Sequence, residues 1–572
     1  MHLLQTSSAT LDDIAEPIDL GQTPGDIAVL SFTDSDLSGL AAAYALERAQ
    51  VPSVRLAHLR DLRHPMSTDL WIDTVAQHAK VIVVRLLGGL DWWRYGVERL
   101  AAVARERGIA LAILPGEDRD DPRLSEHSTL DDTELQALLA YFREGGSANL
   151  RALLRRLARL GGTAIEAPPP EAFPRMGAYK PGMGVTVIDA CFTPNPQQAG
   201  TVPIVFYRAS LLAADTAPID ALCGALAARG LNPVPLFVPS LKAPDAIAFV
   251  REAFDRVDPS VIVTTTAFAA GDGVFDGCDA PVVQAIVANT RREAWASNPR
   301  GLGPSDLSMH VVLPELDGRV LAGTLGFKDK QDKDETLGFE GFVSRPEPDR
   351  IEAVADKIAR LVRLRHMPRA ERQVVIVLPD YPGAGGRAAY AVGLDVPASV
   401  LAALSDLDSA GYTVEDFPED SRVLLARLTD HSAGLSLTLD DYDRFLAALP
   451  ECVGATTREA WGRPEDDPDF RDGAFRFQAA RFGNVVAALP PDRGKTTDRR
   501  ADYHDPVLPP RHALLAFGLW LQHELRADAV LHLGAHGTLE WLPGHAVALT
   551  AACFPEAVLG ALPVFYPFIV SN

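Results

Sequence analysis

Histidines are concentrated near the end of this 572-residue chain, and imidazole is the side chain that most often binds metals or carries protons near neutral pH. Six of the 14 histidines lie between residues 504 and 545. Within this cluster, His532, His536 and Glu540 follow one another at intervals of four residues. Two imidazoles and one carboxylate form a donor set suited to Co²⁺, Ni²⁺ or Zn²⁺. Composition alone leaves a chance cluster of surface histidines as the alternative.

The pattern around the three residues predicts a buried strand that ends at a glycine-containing loop. Residues 529–533 form a short apolar run, and Gly534 and Gly537 interrupt it. His532 is therefore expected near the carboxyl end of a strand, and the other two side chains on the loop beyond. In open α/β sheets ligands bind at this edge. The glycines would let the backbone approach a large ligand closely.

Two familiar sequence motifs are only partly matched, because each lacks a required residue. A metallopeptidase H-E-x-x-H helix needs glutamate directly after its first histidine, where this chain has Leu533. The tetrapeptide 493–496, Arg-Gly-Lys-Thr, matches the end of a phosphate-binding P-loop, but Leu489 stands where the first glycine is required. A polar loop after the strand predicted at 484–489 is favoured there.

A third stretch combines a predicted strand with glycines and an arginine. The strand at 374–378 is followed by Gly383, Gly385 and Gly386, and then by Arg387. Glycines after a strand can line an anion site, and an arginine there could bind a carboxylate in bidentate fashion. A tight turn between strand and helix explains the same residues equally well.

Short apolar runs alternate with amphipathic helical patterns, which predicts a multidomain α/β protein with several parallel-sheet βαβ units of the Rossmann or flavodoxin type. Strands are predicted at 27–32, 81–85, 109–114, 202–207, 234–238 and 261–266, and helices at 37–50, 219–229, 245–257 and 351–367. We expect an α/β domain at 1–160, a proline-rich linker or irregular lobe at 161–203, a second α/β domain at 204–345, and an α/β domain with the His/Glu motif at 346–572. The apolar run 564–570 indicates that this last domain is cut within a longer polypeptide.

Charge and cysteine content restrict the partners and the compartment. Lys and Arg number 54 against 76 Asp and Glu, so the formal net charge is −22. Nucleic acids and anionic membranes are bound mainly by basic surfaces, so neither is an expected partner. The five cysteines contain no Cys-x-x-Cys pair, and no signal peptide or membrane helix is predicted. These features are typical of a cytoplasmic protein.

The segment 532–544, His-Leu-Gly-Ala-His-Gly-Thr-Leu-Glu-Trp-Leu-Pro-Gly, resembles the signature of the CobN/magnesium-chelatase large-subunit family. Further matches, at 85–96, 313–319, 393–399 and 503–510, extend the resemblance over most of the chain. Trp541 and Leu542 favour the cobalt branch, because the magnesium branch usually has Phe-Met there. Family members are roughly twice as long, so the resemblance implies an N-terminal half.

Two local departures from the family pattern concern substrate carboxylate contacts. The family typically has lysine where this chain has His545. It also usually has Asn-Tyr-Pro-Asn-Lys where residues 380–384 read Asp-Tyr-Pro-Gly-Ala.

The resemblance implies the tetrapyrrole- and metal-binding large subunit of an ATP-dependent cobaltochelatase, a ligase that forms nitrogen–metal bonds. Such an enzyme inserts Co²⁺ into hydrogenobyrinic acid a,c-diamide during aerobic cobalamin biosynthesis. ATP and Mg²⁺ would be bound by partners, an AAA+ ATPase subunit and its integrin-like companion, and not by this chain.

Metal insertion requires loss of ring N–H protons and removal of water from the ion, so His536 and Glu540 are predicted to handle metal and protons, with His532 as a further ligand or orienting group. The predicted substrate contacts are His504, Tyr381, Arg387, Arg319 and Trp541. The alternatives are an H-type magnesium chelatase protein that acts on protoporphyrin and a non-catalytic tetrapyrrole carrier or sensor. The chain alone would be inactive if the missing half completes the site.

Overall fold

The chain folds into two compact units, both of which are discontinuous in sequence. The computed structural model describes residues 17–116, 121–191, 200–271, 273–379, 389, 391, 393–430, 435–494, 502, 505–534 and 541–567. The first unit comprises Met1–Met176, Tyr207–Thr216 and Lys328–Ser344, and the second comprises Gly177–Phe206, Ala217–Phe327 and Arg345–Asn572.

A four-stranded parallel sheet in the order β2-β1-β3-β4 forms the centre of the first unit. Its strands are β1 (Ile27–Ser31), β2 (Val54–His58), β3 (Val81–Leu86) and β4 (Ala110–Pro115). They are nearly continuous apolar runs because helices cover both faces of the sheet. The helices of this unit are Asp34–Glu47, Pro65–Thr74, Arg94–Arg107, Pro122–His127, Asp132–Glu144, Gly146–Leu160 and Arg208–Leu212.

An eight-stranded mixed sheet lies mainly in the second unit, in the order β12-β11-β10-β9-β7-β8-β5-β6. Its strands are β5 (Gly177–Lys180), β6 (Gly184–Thr186), β7 (Thr201–Tyr207), β8 (Asn232–Val238), β9 (Ile262–Thr264), β10 (Val282–Arg291), β11 (Val320–Lys330) and β12 (Phe342–Pro346). The accompanying helices are Ile188–Cys191, Ala217–Ala228, Pro244–Val257, Arg292–Ser297, Pro304–Asp306, Leu307–Val312, Leu313–Glu315 and Pro348–His366.

The proline-rich segment 161–203 is not irregular throughout. Its strands β5 and β6 form an antiparallel pair, and β5 also pairs with β8 of the large sheet. Pro181 lies in the turn between the two strands, where a missing backbone N–H costs no sheet hydrogen bond. A linker or irregular lobe is therefore the wrong description of residues 177–186, while the predicted domain boundaries stay predictions.

The remainder of the second unit is built on a five-stranded sheet in the order β17-β18-β13-β19-β20. The central strand β13 (Val374–Val377) pairs in parallel with two neighbours. A separate antiparallel sheet is formed by β14 (Ser436–Thr438), β15 (Phe470–Arg471) and β16 (Ala474–Arg476). The other strands of the five are β17 (Gln478–Phe482), β18 (Val485–Leu489), β19 (Ala529–His532) and β20 (Val564–Phe565).

The core beneath this sheet contains an entirely buried helix, His512–Leu519, which continues as a π-helical turn over Trp520–Glu524. The aromatic rings of Phe477, Phe517 and Trp520 pack together there. The helices Leu439–Leu446, Glu451–Trp461 and Phe554–Leu559 contribute to this core. The helices Val396–Ser409 and Ser421–Thr429 pack on the other face of the sheet.

The predicted α/β class with parallel-sheet units is confirmed, and most predicted elements end within a few residues of the observed ones. Two helices begin earlier than their apolar periodicity indicates, because Pro244 and Pro348 occupy first-turn positions where no N–H is needed. No helix among the described residues is long and apolar enough to span a membrane.

Candidate functional site

His532 is the last residue of β19 and lies in register with Val377 at the end of the central strand β13. Its side chain is buried and packs against Tyr566, with the ring centroids 5.0 Å apart. The parallel strands β13, β18 and β19 all end on this side of the sheet. The structure thus puts an imidazole at the edge where open α/β sheets bind ligands.

Five of the predicted site residues lie outside the described residues. These are His504, Tyr381, Arg387, His536 and Glu540. Their roles stay predictions. Among the residues that the structure does describe, no group of three or more His, Cys, Asp and Glu side chains could hold a metal ion.

The described residues on either side of 535–540 are held by hydrogen bonds. On one side, the backbone N–H of Leu533 donates to the carbonyl of Val377 at 2.9 Å. On the other side, the carbonyl of Trp541 accepts a hydrogen bond from the Arg493 guanidinium at 2.7 Å. The side chain of Trp541 is half-buried. Leu533 is therefore joined to the central strand and Trp541 to Arg493.

Arg493 joins the two chain segments that border the candidate site. Its side chain is about 1% exposed. Besides Trp541, its guanidinium donates to the carbonyls of Leu508, at 2.9 Å, and Asp505. Asp505 directly follows His504, and Trp541 directly follows Glu540. The neighbours of two predicted site residues thus lie within reach of one guanidinium.

The sequence did not reveal this role, because the pattern at 493–496 predicts a polar loop. The structure instead buries Arg493, four residues after the end of β18. A Cβ at Gly494 would lie 2.3 Å from a carboxylate oxygen of Asp502, so the Asp502 side chain would have to move. Only one sequence feature pointed to this role of Arg493. A buried strand is followed within a few residues by Arg493 and Gly494, at the carboxyl edge of the sheet.

Two of the clustered histidines, His512 and His523, make contacts away from His532. His512 Nε2 lies 3.1 Å from the Gly462 carbonyl, which can only accept, so Nδ1 accepts from the Tyr442 hydroxyl at 2.6 Å. Burial lowers the pKa of His512, which favours this neutral form. His523 stacks on Phe445, with the ring centroids 4.5 Å apart. Neither ring is part of the His532 edge.

His545, where the family typically has lysine, packs edge-on against Trp295 at 5.8 Å. Its Nδ1 lies 3.4 Å from the carbonyl of Ala548, which also accepts from Trp295 Nε1 at 2.7 Å. Trp295 in turn stacks on Phe327 at 4.3 Å. The substitution therefore falls where the segment after the His/Glu motif packs on a large aromatic side chain.

Arg319, a predicted substrate contact, lies directly before β11 of the eight-stranded sheet. Its guanidinium is fully buried and forms an ion pair with Asp317 at 2.7 Å. It also donates to the Thr266 carbonyl and to Gln284 Oε1, both at 3.1 Å. These acceptors lie inside the protein, and a role of Arg319 in substrate binding stays a prediction.

Known proteins resemble this chain along most of its length. The CobN/Magnesium Chelatase family pattern matches residues 139–572. The aerobic cobaltochelatase subunit CobN of Sinorhizobium sp is 38% identical, over 100% of this chain and 47% of that protein. The H-type component of magnesium chelatase from Rhodobacter capsulatus is 29% identical, over 76% of this chain and 39% of that protein. The solved catalytic subunit of cobaltochelatase from Mycobacterium tuberculosis has a TM-score of 0.76 and 29% identity, over 96% of this chain and 46% of that one.

Parallel sheets with a buried imidazole at the carboxyl end of a central strand define the class, a multi-unit α/β protein. The chain belongs to the CobN/Magnesium Chelatase family, and the resemblance based on the 532–544 motif is confirmed. The chain spans about half the length of the CobN relative that it matches.

Proposed function

We propose that this chain is the tetrapyrrole- and metal-binding part of a cobaltochelatase large subunit. The observation that carries the proposal is the position of the 532–544 motif. It begins with a buried imidazole at the carboxyl edge of a parallel sheet, and its far end is held by Arg493. The similarity to cobaltochelatase subunits over the whole chain supports the same assignment.

The proposed reaction is insertion of Co²⁺ into hydrogenobyrinic acid a,c-diamide in aerobic cobalamin biosynthesis. The identity to the CobN relative is 38%, against 29% to the magnesium-chelatase relative, which favours cobalt. Trp541-Leu542 points to the same branch. An H-type magnesium chelatase protein that acts on protoporphyrin is the alternative reaction, and a non-catalytic tetrapyrrole carrier or sensor is the alternative without chemistry.

The residues of the motif suit the two tasks that metal insertion sets. The ring must lose its N–H protons, and the ion must lose water before it enters. His536 and Glu540 would accept protons and hold Co²⁺ in an incomplete ligand set, because a complete set would retain the ion. His532, fixed at the strand end, would be a further ligand or would orient the others.

The energy for insertion would come from other chains. We propose that an AAA+ ATPase subunit and an integrin-like subunit bind and hydrolyse ATP with Mg²⁺ and act on this chain in the cytoplasm. Residues that this chain lacks relative to its longer relatives would be needed for turnover if they complete the site.

A binding titration followed by ring absorbance tests the proposal. Hydrogenobyrinic acid a,c-diamide is added to the wild type and to His536→Ala/Glu540→Ala, with Co²⁺ added last and protoporphyrin as the comparison ring. We expect the wild type to bind the corrinoid at least tenfold more tightly than protoporphyrin. The double variant should bind the ring but lose its spectral response to Co²⁺.

His523→Ala is the matched control, because this histidine lies outside the candidate site and should leave both readouts unchanged. Tighter binding of protoporphyrin would contradict the cobalt assignment. An unchanged Co²⁺ response in the double variant would contradict the assigned roles of the two residues.

A further inference from the structure

Phe268 has a backbone conformation that an aromatic residue rarely adopts. Its φ angle is +64°, in the left-handed region, where the Cβ atom of an L-residue is crowded by the backbone. Burial of the ring offsets this strain only in part, because Phe268 is 44% exposed. Strained residues of this kind persist where the surrounding structure forces them, and they are concentrated at sites that bind ligands.

The Asp317 carboxylate holds the chain after Phe268. It accepts hydrogen bonds from the backbone N–H groups of Ala270, at 2.6 Å, and Gly271, at 3.3 Å. The Asp317 side chain is only 8% exposed, so little water competes for these contacts. The positions of two residues beyond Phe268 are thereby fixed.

Arg319 holds the chain on the other side of Phe268. Its buried guanidinium donates to the Thr266 carbonyl at 3.1 Å and forms an ion pair with Asp317 at 2.7 Å. The N–H of Phe268 itself donates to the Met309 carbonyl at 2.8 Å. Because these contacts hold residues 266–271 at several points, Asp317 and Arg319 keep Phe268 in its strained conformation through the backbone.

An apolar surface with one cation surrounds the Phe268 ring. Val312 and Leu316 are both exposed in the helical segment to which the loop 266–271 is hydrogen-bonded. The Lys242 ammonium lies 5.9 Å from the centre of the Phe268 ring, and it forms no ion pair with any carboxylate among the described residues. We call Phe268, Lys242, Val312 and Leu316 the Phe268 surface.

The Phe268 surface lies beyond the carboxyl ends of two strands of the large sheet. Lys242 follows β8, which ends at Val238, and Phe268 follows β9, which ends at Thr264. Open α/β sheets bind their ligands outside the carboxyl ends of their strands. The exposed ring and the exposed ammonium therefore lie where a ligand is expected.

One hydrophobic cluster connects this region to the segment that follows the 532–544 motif. Val311, in the same helical segment as Val312, is buried together with Trp295 and Ala548. The ring of Trp295 also contacts His545. The Phe268 surface and the end of the motif therefore border one packed region of the second unit.

We propose, on the basis of the proposed chelatase function, that Phe268 and Lys242 contact the tetrapyrrole ring and that Asp317 and Arg319 position Phe268 for this contact. The Phe268 ring packs against the macrocycle, and the Lys242 ammonium pairs with a carboxylate at its periphery. Arg319 then acts through Phe268 and does not touch the substrate.

Ring-absorbance titrations of the 572-residue chain test the contact with hydrogenobyrinic acid a,c-diamide or protoporphyrin, whichever the wild type binds more tightly. Phe268→Asn removes the aromatic ring and suits the left-handed conformation. We expect it to weaken binding by about fivefold or more without lowering the urea midpoint of unfolding, because the backbone strain is relieved. Phe268→Tyr keeps an aromatic ring and should bind as the wild type does.

Val187→Ala, at an exposed apolar position beyond β6 of the same sheet, is the control and should change neither readout. Unchanged ring binding in Phe268→Asn overturns the proposal while leaving the chelatase function intact. Weaker binding together with a lower urea midpoint also overturns it, because the ring would then be structural. A wild type that binds neither macrocycle contradicts the chelatase function and the proposal together.

The ammonium contact has a separate readout, the dependence of ring binding on salt. Lys242→Gln should weaken binding by about threefold and reduce its salt dependence, whereas Lys242→Arg should preserve both. Equal salt dependence of Lys242→Gln and the wild type overturns the role of Lys242.

The positioning role is tested by combining substitutions. Asp317→Asn should weaken ring binding in the wild type but have little further effect in Phe268→Asn, because it acts through Phe268. Arg319→Lys, which keeps the charge, replaces Asp317→Asn in the same design if the latter does not fold. Additive losses in the double variant overturn the positioning role.

Discussion

Arg493 donates hydrogen bonds to carbonyls on two segments, at Asp505 and Leu508 and at Trp541, that are about 35 residues apart along the chain. A buried carbonyl that loses its donor costs about 1–3 kcal/mol. The neighbours Trp541 and Leu508 thus depend on one side chain for their position.

Arg493→Met should lower the free energy of unfolding by roughly 3–5 kcal/mol, since it leaves these carbonyls without a donor. Urea unfolding measures the change. The control is Arg463→Met, because Arg463 forms an exposed ion pair with Asp466 and its loss should leave the urea midpoint nearly unchanged. Equal effects of the two substitutions would show that the hydrogen bonds of Arg493 contribute little.

Protonation of His58, in the first unit, should make the stability of the protein sensitive to acid. It is buried beside Phe339, and burial together with the charges of Arg60 and Lys328 lowers its pKa to about 4, although Asp34 opposes the shift. The unfolded chain has a histidine pKa of about 6.5 and binds the proton more readily. Stability is therefore fully present above pH 6.5 and is lost as the pH falls towards 4, by an amount of the order of 3 kcal/mol.

Urea midpoints of the wild type and His58→Gln between pH 7.5 and 4.5 measure this dependence. We expect the wild type to lose more stability than the variant over this interval, because the variant has no ring to protonate. Parallel curves would show that other groups cause the acid sensitivity. His78→Gln, at an exposed position, is the control and should follow the wild type.

At the scale of elements, two helix glycines should respond to substitution in opposite directions. A Cβ at Gly518 would lie 2.4 Å from the Val558 carbonyl, because the helices His512–Leu519 and Phe554–Leu559 approach closely there. Gly224, in the helix Ala217–Ala228, has nothing within 4 Å of a Cβ. Alanine in a helix is favoured over glycine by about 1 kcal/mol where space allows.

We expect Gly518→Ala to destabilise the protein by about 2 kcal/mol or more, since a backbone atom of the neighbouring helix must move. Gly224→Ala should stabilise it by about 0.5–1 kcal/mol. Chemical unfolding of both variants compares them directly. If Gly518→Ala left the free energy of unfolding unchanged, the two helices could move apart at no cost.

The elements also show what the sequence could predict. Most buried strands of the parallel sheets were predicted nearly to the residue, because burial on both faces makes them continuous apolar runs. The strand β2 was missed although all its residues are buried, because Arg55 and His58 interrupt its apolar run. The strands β5 and β6 were missed, since runs of four and three residues among prolines carry no periodicity. The long strands β10 and β11 were missed as well, because polar residues and glycines interrupt their apolar pattern.

The candidate site was predictable only where it follows strand periodicity. The position of His532 follows from the apolar run 529–533. The roles of Arg493 and His512 do not, because their partners lie 12 to 70 residues away and no local pattern records them. The described histidines of the sequence cluster are therefore separated in space. His532 lies at the sheet edge, whereas His512, His523 and His545 make structural contacts elsewhere.

At the scale of the whole molecule, the first unit is assembled from segments that are far apart in sequence. The turn 334–339 belongs to it, since the N–H of Leu56 donates to the Leu337 carbonyl at 3.1 Å and the Gln22 amide donates to the Gly338 carbonyl at 2.7 Å. Phe339 is buried in the same core. A boundary placed by sequence continuity alone, such as the predicted 1–160, cannot include this turn.

Hydrogen exchange in increasing urea can test this assembly, because amides of one cooperative unit lose protection together. We expect the amides of residues 334–341 to lose protection at the same urea concentration as those of β1–β4, and earlier in Phe339→Ala, which removes a buried ring worth about 3–5 kcal/mol. Phe565→Ala, at a half-exposed position, should leave this concentration unchanged. If 334–341 instead lost protection with β10 while β1–β4 stayed protected, the turn would belong to the cooperative unit of the large sheet, and the discontinuous first unit would not exist as a folding unit.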